Sequence, residues 1–525
     1  MSESNQAVLA AQANKLIASL LGRHGAEVIV TDPGELDYYA HDVAAAGQAL
    51  LAVIVPDSAE QLLAVVKELA EAGIPMIPRG GGLSYTDAYL ATRPGSVLID
   101  TTRLNRIIEI NSEDRYVVAE CGVTWAQLFE ALEKQGLRTP YFGPLSGLEA
   151  TLGGALSQGS VFLGSGLHGS VGDSVLALDV ATTAGTVLRT GAAAAPATAP
   201  FFRYFGPDLT GLFIGDAGSL GIKLRASLRL LDLADHCDYL SWQFAGPEAM
   251  FDAIAKLARA GLASECFGFD PLLAEMRMKR ASLSEDAGTM AKVVKRQGLL
   301  AGAKLAARGR SFLDTRCYSA HAVIEADSKA ALVERVRRAR QLVTGAEEIA
   351  GSIPRALRGA PFAPPNAMLG PAGERWLPVH GIVPHSAAPA CFQALKAMAG
   401  GEADCLERHG IRIGYLYATV AAQGTLIEPV FYWPDSHSVY HRRRVDQQHR
   451  ARIGEPDPNP AARGEVARLR QGMADILRSH GAVHFQLGKF YSYRRGRNPA
   501  ALALVNAIKR ELDPRGLFNP DSLVE

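Results

Sequence analysis

Three consecutive glycines constrain this chain more than any other feature of its sequence. Gly80, Gly81 and Gly82 follow an apolar run that ends at Ile77. Because glycine has no Cβ, such a loop can adopt positive φ angles and bring its backbone N–H groups close to a bound anion. Successive N–H groups that point into one concavity form an anion-binding nest. The loop is therefore predicted to hold a phosphate group.

A second glycine cluster, Gly147 to Gly154, lies further along the chain, and a pyrophosphate needs more than one such loop. Neither cluster fits a standard nucleotide motif, because the first is not G-x-G-x-x-G and G-x-x-x-x-G-K-[ST] does not occur. Rossmann and P-loop folds therefore lose support. A glycine triplet alone is also typical of a surface turn, so the two loops indicate a ligand only when they are taken together.

Four segments together resemble the vanillyl-alcohol oxidase and p-cresol methylhydroxylase family of FAD enzymes. They are PRGGGLS at 78–84, GLEATLGG at 147–154, FFRYFGPDLTGLFIGDAGSLGI at 201–222 and LDPRGLFNPDSL at 512–523. Their order also resembles the D-lactate dehydrogenase and glycolate oxidase subunit branch. The resemblance implies an α+β fold, with a two-lobed FAD-binding domain of the vanillyl-alcohol oxidase type and an α+β cap domain for the substrate.

The resemblance and the local patterns divide the chain into four parts. A helix is predicted from Ser58 to Ala72, with Ser58 as its N-cap and Gly73 at its end, and residues 273–309 are expected to be helical. The expected parts are an N-terminal helical segment at 1–44, the FAD-binding domain at 45–232 with lobes at about 45–114 and 115–232, the cap at 233–483, and a C-terminal segment at 484–525 that returns to the FAD domain.

The resemblance also implies FAD-binding positions in both loops and beyond them. They are Arg79, Gly80, Gly81, Gly82, Ser84, Ser146, Thr151, Gly153, Gly154, Gly159, His168, Ile222 and Asn519. Some members of the family attach the flavin covalently through a histidine. Leu83 occupies one such position, and the cap strand from Leu426 to Phe431 has no histidine at the other. Non-covalent FAD is therefore expected, with His168 as the remaining attachment candidate.

Hydride transfer to a flavin requires a protein base for the substrate's hydroxyl proton, since the cofactor carries the redox chemistry. His380 and His385 are the first candidates because histidine titrates near neutral pH. Glu428, in an otherwise apolar run, could join them, and Tyr491 is a further candidate. Two histidines and a carboxylate could also bind a divalent metal. The H-x-G-D-G-N-x-H signature of metal-using D-2-hydroxyacid dehydrogenases is absent, so no metal is expected.

Aromatic and basic side chains in the C-terminal half are candidates for substrate binding. Tyr415 and Tyr417 are two apart on a predicted strand, so both face the same side. They could line an aromatic pocket beside the flavin, although ordinary sheet packing explains them equally well. Lys489 and Arg494 are candidate partners for a substrate carboxylate, with Tyr493 between them in the sequence. The run from Arg442 to Arg444, by contrast, is typical of a solvated helix face.

Composition narrows the class of partner. The 54 basic residues balance the 54 acidic ones, which argues against a nucleic acid. No run of about 20 apolar residues is present to span a bilayer, the six cysteines contain no C-x-x-C pair, and the N-terminus does not resemble a leader. We expect a cytoplasmic protein, peripheral to the inner membrane if its electron acceptor is a quinone. A homo-oligomer is compatible with these features.

These observations favour FAD-dependent oxidation of an alcohol-type carbon, with a D-lactate-like 2-hydroxy acid as the first expected substrate. A 4-substituted phenol or aromatic alcohol is the alternative, because the tyrosines and the segment 203–221 also resemble that branch. A third interpretation is an FAD-binding subunit of a multi-subunit electron-transfer complex. The electron acceptor stays open between O₂, a quinone, a cytochrome and a partner protein.

Overall fold

The computed structural model describes residues 3–280, 291, 294 and 314–523. Most of the basic stretch 273–309, predicted to be helical, lies outside the described residues. The described elements form two lobes near the N-terminus and a cap, which confirms the α+β class.

The first lobe is a four-stranded sheet that packs against two helices. Its elements are α1 (Glu3–His24), β1 (Ile29–Val30), α2 (Pro33–Tyr39), β2 (Leu50–Ile54), α3 (Ala59–Ala72), β3 (Met76–Arg79) and β4 (Ser96–Asp100). The strand order is β1-β2-β4-β3, with β1 antiparallel to β2 and the other pairs parallel. Helices α1 and α3 bury apolar side chains against it. Because β1 belongs to this sheet, the segment before residue 45 is part of the lobe.

Helix α3 is set by its two end residues, as the sequence predicts. The Ser58 hydroxyl accepts a hydrogen bond from the Gln61 N–H at 3.1 Å, and Gly73 ends the helix at φ +72°. The chain then enters β3, an edge strand that ends at Arg79, where the glycines begin. The sheet therefore delivers the glycine loop at the carboxyl end of β3.

The second lobe is built on an antiparallel sheet of five strands in the order β5-β6-β10-β8-β9, beside a small β7–β11 pair. Helix α4 packs its apolar face on this sheet. The elements are β5 (Ile107–Asn111), β6 (Tyr116–Glu120), α4 (Trp125–Glu133), β7 (Leu137–Arg138), α5 (Leu152–Gln158), α6 (Ser165–His168), β8 (Val175–Ala181), β9 (Val187–Arg189), α7 (Leu209–Leu212), β10 (Ile222–Arg229) and β11 (Leu231–Asp232).

The cap contributes the largest sheet, with β17 paired to β19 beside the path β15-β12-β14-β13-β18-β19-β16. Its elements, with the C-terminal helix, are β12 (His236–Phe244), α8 (Pro247–Arg259), β13 (Ala263–Phe269), α9 (Pro271–Arg280), β14 (Tyr318–Ala326), α10 (Lys329–Leu342), β15 (Glu347–Ile349), α11 (Ser352–Gly359), β16 (Arg375–Pro378), β17 (Gly381–Pro384), α12 (Ala388–Gly401), α13 (Ala403–His409), β18 (Arg412–Val420), β19 (Gly424–Trp433), α14 (Val439–Arg444), α15 (Gln447–Ile453), α16 (Pro460–Ser479) and α17 (Pro499–Leu512).

The two faces of the cap sheet have different neighbours. Helices α8, α12 and α16 cover one face and form the largest apolar core of the protein with it. The other face of β18 and β19 turns toward the two lobes. This second face contributes the cap's side of the cavity described below.

Two contacts tie the later parts of the chain to the lobes. The Asn519 N–H donates to the Met76 carbonyl at 2.8 Å, so the C-terminal tail runs beside β3. In the cap, Glu325 accepts from Arg138 of the second lobe at 2.7 Å and from Arg358 at 2.6 Å, and all three side chains are buried. A buried carboxylate held by two guanidinium groups fixes the cap against the second lobe, since losing either partner would leave a buried charge uncompensated.

Candidate functional site

A cavity of about 320 Å³ lies where both lobes meet the cap. The lobes contribute residues 78–85, parts of 144–162 and parts of 217–223. The cap and the C-terminal segment contribute Arg277, Trp376, Leu416, Leu426, Glu428, Tyr432, Phe485 and Gln486. Both glycine clusters predicted from the sequence therefore face the same space.

The peptide groups of the first glycine loop are held from one side. The Arg79 carbonyl accepts from Thr101, the Gly81 carbonyl from Arg444 at 2.7 Å, and the Gly82 carbonyl from the hydroxyls of Tyr89 and Tyr440 at 2.8 and 2.7 Å. In a trans peptide the next N–H points the opposite way. The N–H groups of residues 80, 82 and 83 therefore point away from these partners, and they donate to no acceptor in the described part of the chain.

Glycine is required in this loop because the second loop lies against it. A Cβ on Gly80 would overlap the Thr151 hydroxyl, and a Cβ on Gly81 would overlap the Glu149 carbonyl. Gly82 has φ +70°, a backbone angle that residues with a Cβ rarely adopt. The unpaired N–H groups of the first loop and the close approach of the second leave a concavity of the kind that an anion nest requires.

Two contacts fix the second loop: the hydrogen bond of a helix N-cap, and an ion pair with an arginine of the cap domain. The Thr151 hydroxyl accepts a hydrogen bond from the Gly154 N–H at 3.3 Å, so Thr151 is the N-cap of α5. Arg444 pairs with Glu149 of this loop while it also donates to Gly81 of the first. Arg444 is therefore not part of a solvated helix face, as its arginine run suggested, but connects the cap to both loops.

The Arg79 side chain turns away from the open space of the loop. Its guanidinium pairs with Asp100 at 2.9 Å, and both side chains are buried. The same group lies over the rings of Tyr39 and Tyr89, 4.6 and 5.2 Å from their centroids. Because Asp100 compensates its charge, the Arg79 side chain supports the loop from behind. Arg79 therefore contributes to the cavity lining mainly through its backbone.

Most of the FAD positions implied by the resemblance line the cavity, and three do not. Those that line it are Arg79, Gly80, Gly81, Gly82, Ser84, Ser146, Thr151, Gly153, Gly154 and Ile222. Gly159 is the left-handed C-cap of α5. His168 lies outside the lining, and burial lowers its pKa to about 4. Asn519 is fully buried and donates to the carbonyls of Ala88 and Ala217 at 2.8 and 2.6 Å, so it binds the tail to cavity-lining segments.

Glu428 is the carboxylate that the cap sheet presents to the cavity. It lies opposite Leu416 on the neighbouring strand, and both side chains face the cavity together with Leu426 and Tyr432. Burial raises the pKa of Glu428 to about 7, against the opposing effect of the positive charge of Arg277. Glu428 can therefore exchange a proton near neutral pH.

Two polar side chains of the lobes and the C-terminal segment accompany Glu428. Burial, and then the negative charge of Glu428, raise the pKa of Tyr85 well above its ordinary value, and Gln486 hydrogen-bonds to the Tyr85 hydroxyl. Gln486 adopts φ +51°, and its N–H donates to the Gln158 carbonyl at 2.5 Å. The strained turn brings Phe485 and Gln486 to the cavity from the far end of the chain.

His380 and His385 lie on opposite sides of β17, because they are five apart along an extended stretch. His380 is fully buried behind Phe485, with ring centroids 4.1 Å apart, and burial lowers its pKa well below the ordinary value. His385 bonds to Thr425 at 2.7 Å. Tyr491 is also buried, and its hydroxyl accepts from the His380 N–H at 2.8 Å. None of the three lines the cavity, so among the predicted catalytic residues only Glu428 reaches it.

The predicted substrate residues also lie elsewhere. Tyr415 and Tyr417 do share a face, but it is the face covered by α8 and α12, where both rings pack against Phe392. The Lys489 ammonium donates to Leu90 and Asn519 at 2.9 and 2.6 Å, and burial lowers its pKa to about 8. The ring of Tyr493 lies under Arg497, and Arg494 is exposed.

A metal site at His380, His385 and Glu428 has no geometric basis in the described residues. In that part of the chain, no three His, Cys, Asp or Glu side chains lie close enough to hold one ion. No described helix is both long and apolar enough to cross a membrane.

The fold and the cavity define a flavoprotein with a two-lobed cofactor domain and a cap. Residues 50–191 match the family model described as FAD binding domain, so this part of the chain is an FAD-binding domain of that family. The chain is 34% identical over 188 residues to the mitochondrial D-lactate dehydrogenase (cytochrome) of Arabidopsis thaliana, which covers 35% of this chain and 31% of that protein. A glycolate oxidase subunit of Bacillus subtilis is 31% identical over 194 residues, 37% of this chain and 40% of the subunit.

The chain thus spans between about a third and two fifths of the length of these curated relatives. Its likeness to solved structures extends further. A p-cresol methylhydroxylase with bound substrate gives a TM-score of 0.69 at 16% identity, over 98% of this chain and 96% of that one. The 4-ethylphenol oxidase of Gulosibacter chungangensis gives 0.66 at 16% identity, over 100% and 98%. These structures share the fold of the described part of the chain, which confirms the resemblance seen in its motifs.

Several residues at the cavity lie outside the predicted set. Arg277, Trp376 and Leu416 lack any local motif. Trp376 and Leu416 reach the cavity from strands β16 and β18 of the cap sheet, and Arg277 reaches it from helix α9. Tyr85 carried a signal, since it directly follows the predicted first loop. Phe485 precedes the C-terminal helix, and only the path of the folded chain brings it to this space. Its neighbour Gln486, by contrast, was expected near the flavin from the resemblance of the C-terminal segment.

Proposed function

We propose that this chain is an FAD-dependent oxidase or dehydrogenase that removes a hydride from an alcohol-type carbon. The observation that carries the proposal is one cavity that joins the nest of unpaired loop N–H groups to the carboxyl group of Glu428. Groups suited to anion binding and to proton transfer therefore share one cavity. FAD bound there would supply the hydride acceptor.

The residues present fit FAD. The first loop offers the N–H groups of residues 80, 82 and 83 to a diphosphate, and Thr151 to Gly154 close the same concavity from the second loop. Non-covalent binding is part of the proposal. Leu83 stands beside the loop, His168 lies outside the lining, and the described cap residues that line the cavity include no histidine.

Glu428 takes the proton of the substrate hydroxyl. Its pKa of about 7 makes the carboxylate a base that is half ionised at neutral pH. Tyr85 and Gln486 lie on the lobe side of the same space and can orient the substrate oxygen through hydrogen bonds. The two buried histidine and tyrosine candidates, His380 and Tyr491, serve as packing behind Phe485.

The first substrate candidate is a 2-hydroxy acid with an apolar side chain. Arg277 is a cation at the cavity that could bind a carboxylate, and its guanidinium stacks 4.8 Å from the ring of Phe269. Leu416, Leu426 and Trp376 give the apolar wall. The D-lactate dehydrogenase and glycolate oxidase subunit relatives, which match 35% and 37% of this chain, support this class.

A 4-substituted phenol or aromatic alcohol is the second candidate. Trp376, Tyr432 and Phe485 place three aromatic side chains in the lining, and the solved structures that cover nearly the whole chain include a 4-ethylphenol oxidase. Such a substrate would use Tyr85 and Arg277 at its hydroxyl end and the aromatic side chains along its ring.

Anaerobic bleaching of the bound flavin separates these candidates. The purified holoprotein is mixed with D- and L-2-hydroxy acids of increasing side-chain size and with 4-alkylphenols, and flavin absorbance is followed. Bleaching by an acid without bleaching by phenols supports the first candidate, and the reverse supports the second. Bleaching by none of them would contradict the proposed oxidation and favour an electron-transfer subunit.

A further inference from the structure

The loop between β9 and α7 exposes four aromatic side chains within five residues. Phe201, Phe202, Tyr204 and Phe205 are 54%, 51%, 62% and 71% exposed. Single exposed apolar residues are ordinary on a protein surface, whereas a contiguous patch marks an interaction site. Residues 201–205 are called the aromatic tip below.

The aromatic tip presents almost no charge to solvent. From residue 191 to residue 207 the sequence contains one charged residue, Arg203, and its side chain is only 15% exposed. The guanidinium donates to Asp208 at 2.8 Å and to the Gly172 carbonyl at 2.5 Å. Its charge is therefore neutralised and turned toward the protein body, which leaves the outer surface of the tip apolar.

The tip is built onto the second lobe by specific contacts. The Ala192 N–H donates to the Phe202 carbonyl at 2.9 Å. The ring of Phe202 lies 6.2 Å from that of Phe201 and 6.1 Å from that of Tyr204. The rings of Phe201, Phe202 and Tyr204 thus form one cluster, anchored through Arg203, and Phe205 follows it as the most exposed ring of the tip.

The exposed area is too small for a stable contact with a second copy of the chain. Aromatic side chains offer about 150–250 Å² each, so the four together expose roughly 360–600 Å² at their observed fractions. A standard protein interface buries about 800 Å² on each partner. A lipid surface has no such requirement, because aromatic rings gain free energy individually at the level of the headgroups.

We propose that the aromatic tip inserts into the interfacial layer of a lipid bilayer and holds the protein at a membrane surface. Phe201, Phe202 and Phe205 supply the apolar area, and Tyr204 pairs a ring with a polar hydroxyl, as suits an interface. Because the tip exposes no cation, its binding needs no anionic lipid and resists salt. This inference goes beyond the proposed oxidation and does not depend on it.

Sedimentation of the holoprotein with phosphatidylcholine vesicles tests the proposal. We expect the wild-type protein to pellet with neutral vesicles at low and at high salt. The double variant Phe202→Ser, Phe205→Ser should lower the vesicle partition coefficient by more than about tenfold, since it removes about half of the exposed aromatic area of the tip. Leu504→Ser is the matched control, because Leu504 is 63% exposed but lies on α17.

Other outcomes overturn the proposal. Wild-type protein that stays in the supernatant, that binds only anionic vesicles, or that loses binding equally in the Leu504 control has no membrane-inserting tip. A halved mass in light scattering of the double variant would assign the tip to subunit contact instead. Phe205→Trp keeps an aromatic ring and should show a blue-shifted fluorescence on vesicles. FAD content and flavin bleaching in solution should be unchanged in all variants, so a failure here is distinct from a failure of the proposed oxidation.

Discussion

Replacing Glu428 by Gln tests the proposed base through its pH dependence. With a pKa of about 7, the carboxylate fraction rises from about one tenth at pH 6 to about nine tenths at pH 8. A base acts in its deprotonated form, so the rate of flavin reduction should rise roughly tenfold over this interval. A carboxyl group at its ordinary pKa of 4.5 would give a flat profile over the same range.

The amide of Gln has nearly the same shape but cannot take a proton at these pH values. Glu428→Gln should therefore slow flavin reduction by about 10²–10⁴-fold at pH 8 and lose the step near pH 7. Glu428→Asp, which keeps a carboxylate on a shorter side chain, should lose less rate and keep a pH step. Anaerobic stopped-flow reduction measures both, after FAD content is shown to be equal. A Gln variant within tenfold of the wild type, or one that keeps the step, would refute the assignment.

Gly81→Ala should lose FAD during purification, because the added Cβ overlaps a carbonyl of the facing loop. The control Gly464→Ala, which has open space around it, should keep a full flavin-to-protein absorbance ratio. Equal ratios in the two variants would contradict the loop assignment. Arg444→Ala should raise the dissociation constant of FAD by about 10- to 100-fold in titrations, since charged hydrogen bonds to both loops are lost, whereas its exposed neighbour Arg443→Ala should not. Acid precipitation should leave a colourless pellet, and a yellow one would indicate covalent flavin at His168.

The glycine loops could be predicted because their constraint is local. A triplet without Cβ atoms lets the backbone approach a neighbour closely whatever the rest of the chain does, and in the structure Gly80 and Gly81 lie against the second loop. Helix α3 was equally predictable, since Ser58 and Gly73 act only on their own ends. Ser58 and its partner Gln61 are three residues apart, and the three glycines are adjacent in the chain, so both signals are visible in the sequence.

Predictions about which way a side chain faces were limited by the tertiary structure. Strand alternation correctly placed Tyr415 and Tyr417 on the same face of the cap sheet. One face of this sheet packs against helices and the other lines the cavity, so alternation alone could not predict which face the two tyrosines occupy. The same rule, applied to the odd spacing of His380 and His385, would have separated them. Lys489 was an obvious cation, yet its donors are taken by carbonyls from residues about 400 positions away.

Arg444 and Tyr440 hold the carbonyl side of the peptide groups whose N–H side faces the cavity. A bound diphosphate would accept hydrogen bonds from the N–H edge of the same peptide groups whose carbonyl edge the cap contacts. A movement of these peptide groups would therefore disturb both interactions. Coupling of this kind is reciprocal. The factor by which the docked cap raises FAD affinity equals the factor by which bound FAD raises the docking equilibrium of α14. The α14 amide hydrogens should therefore exchange faster in the apoprotein than in the holoprotein. On this proposal, FAD retention would report on how firmly the cap is docked, because both contact the first glycine loop.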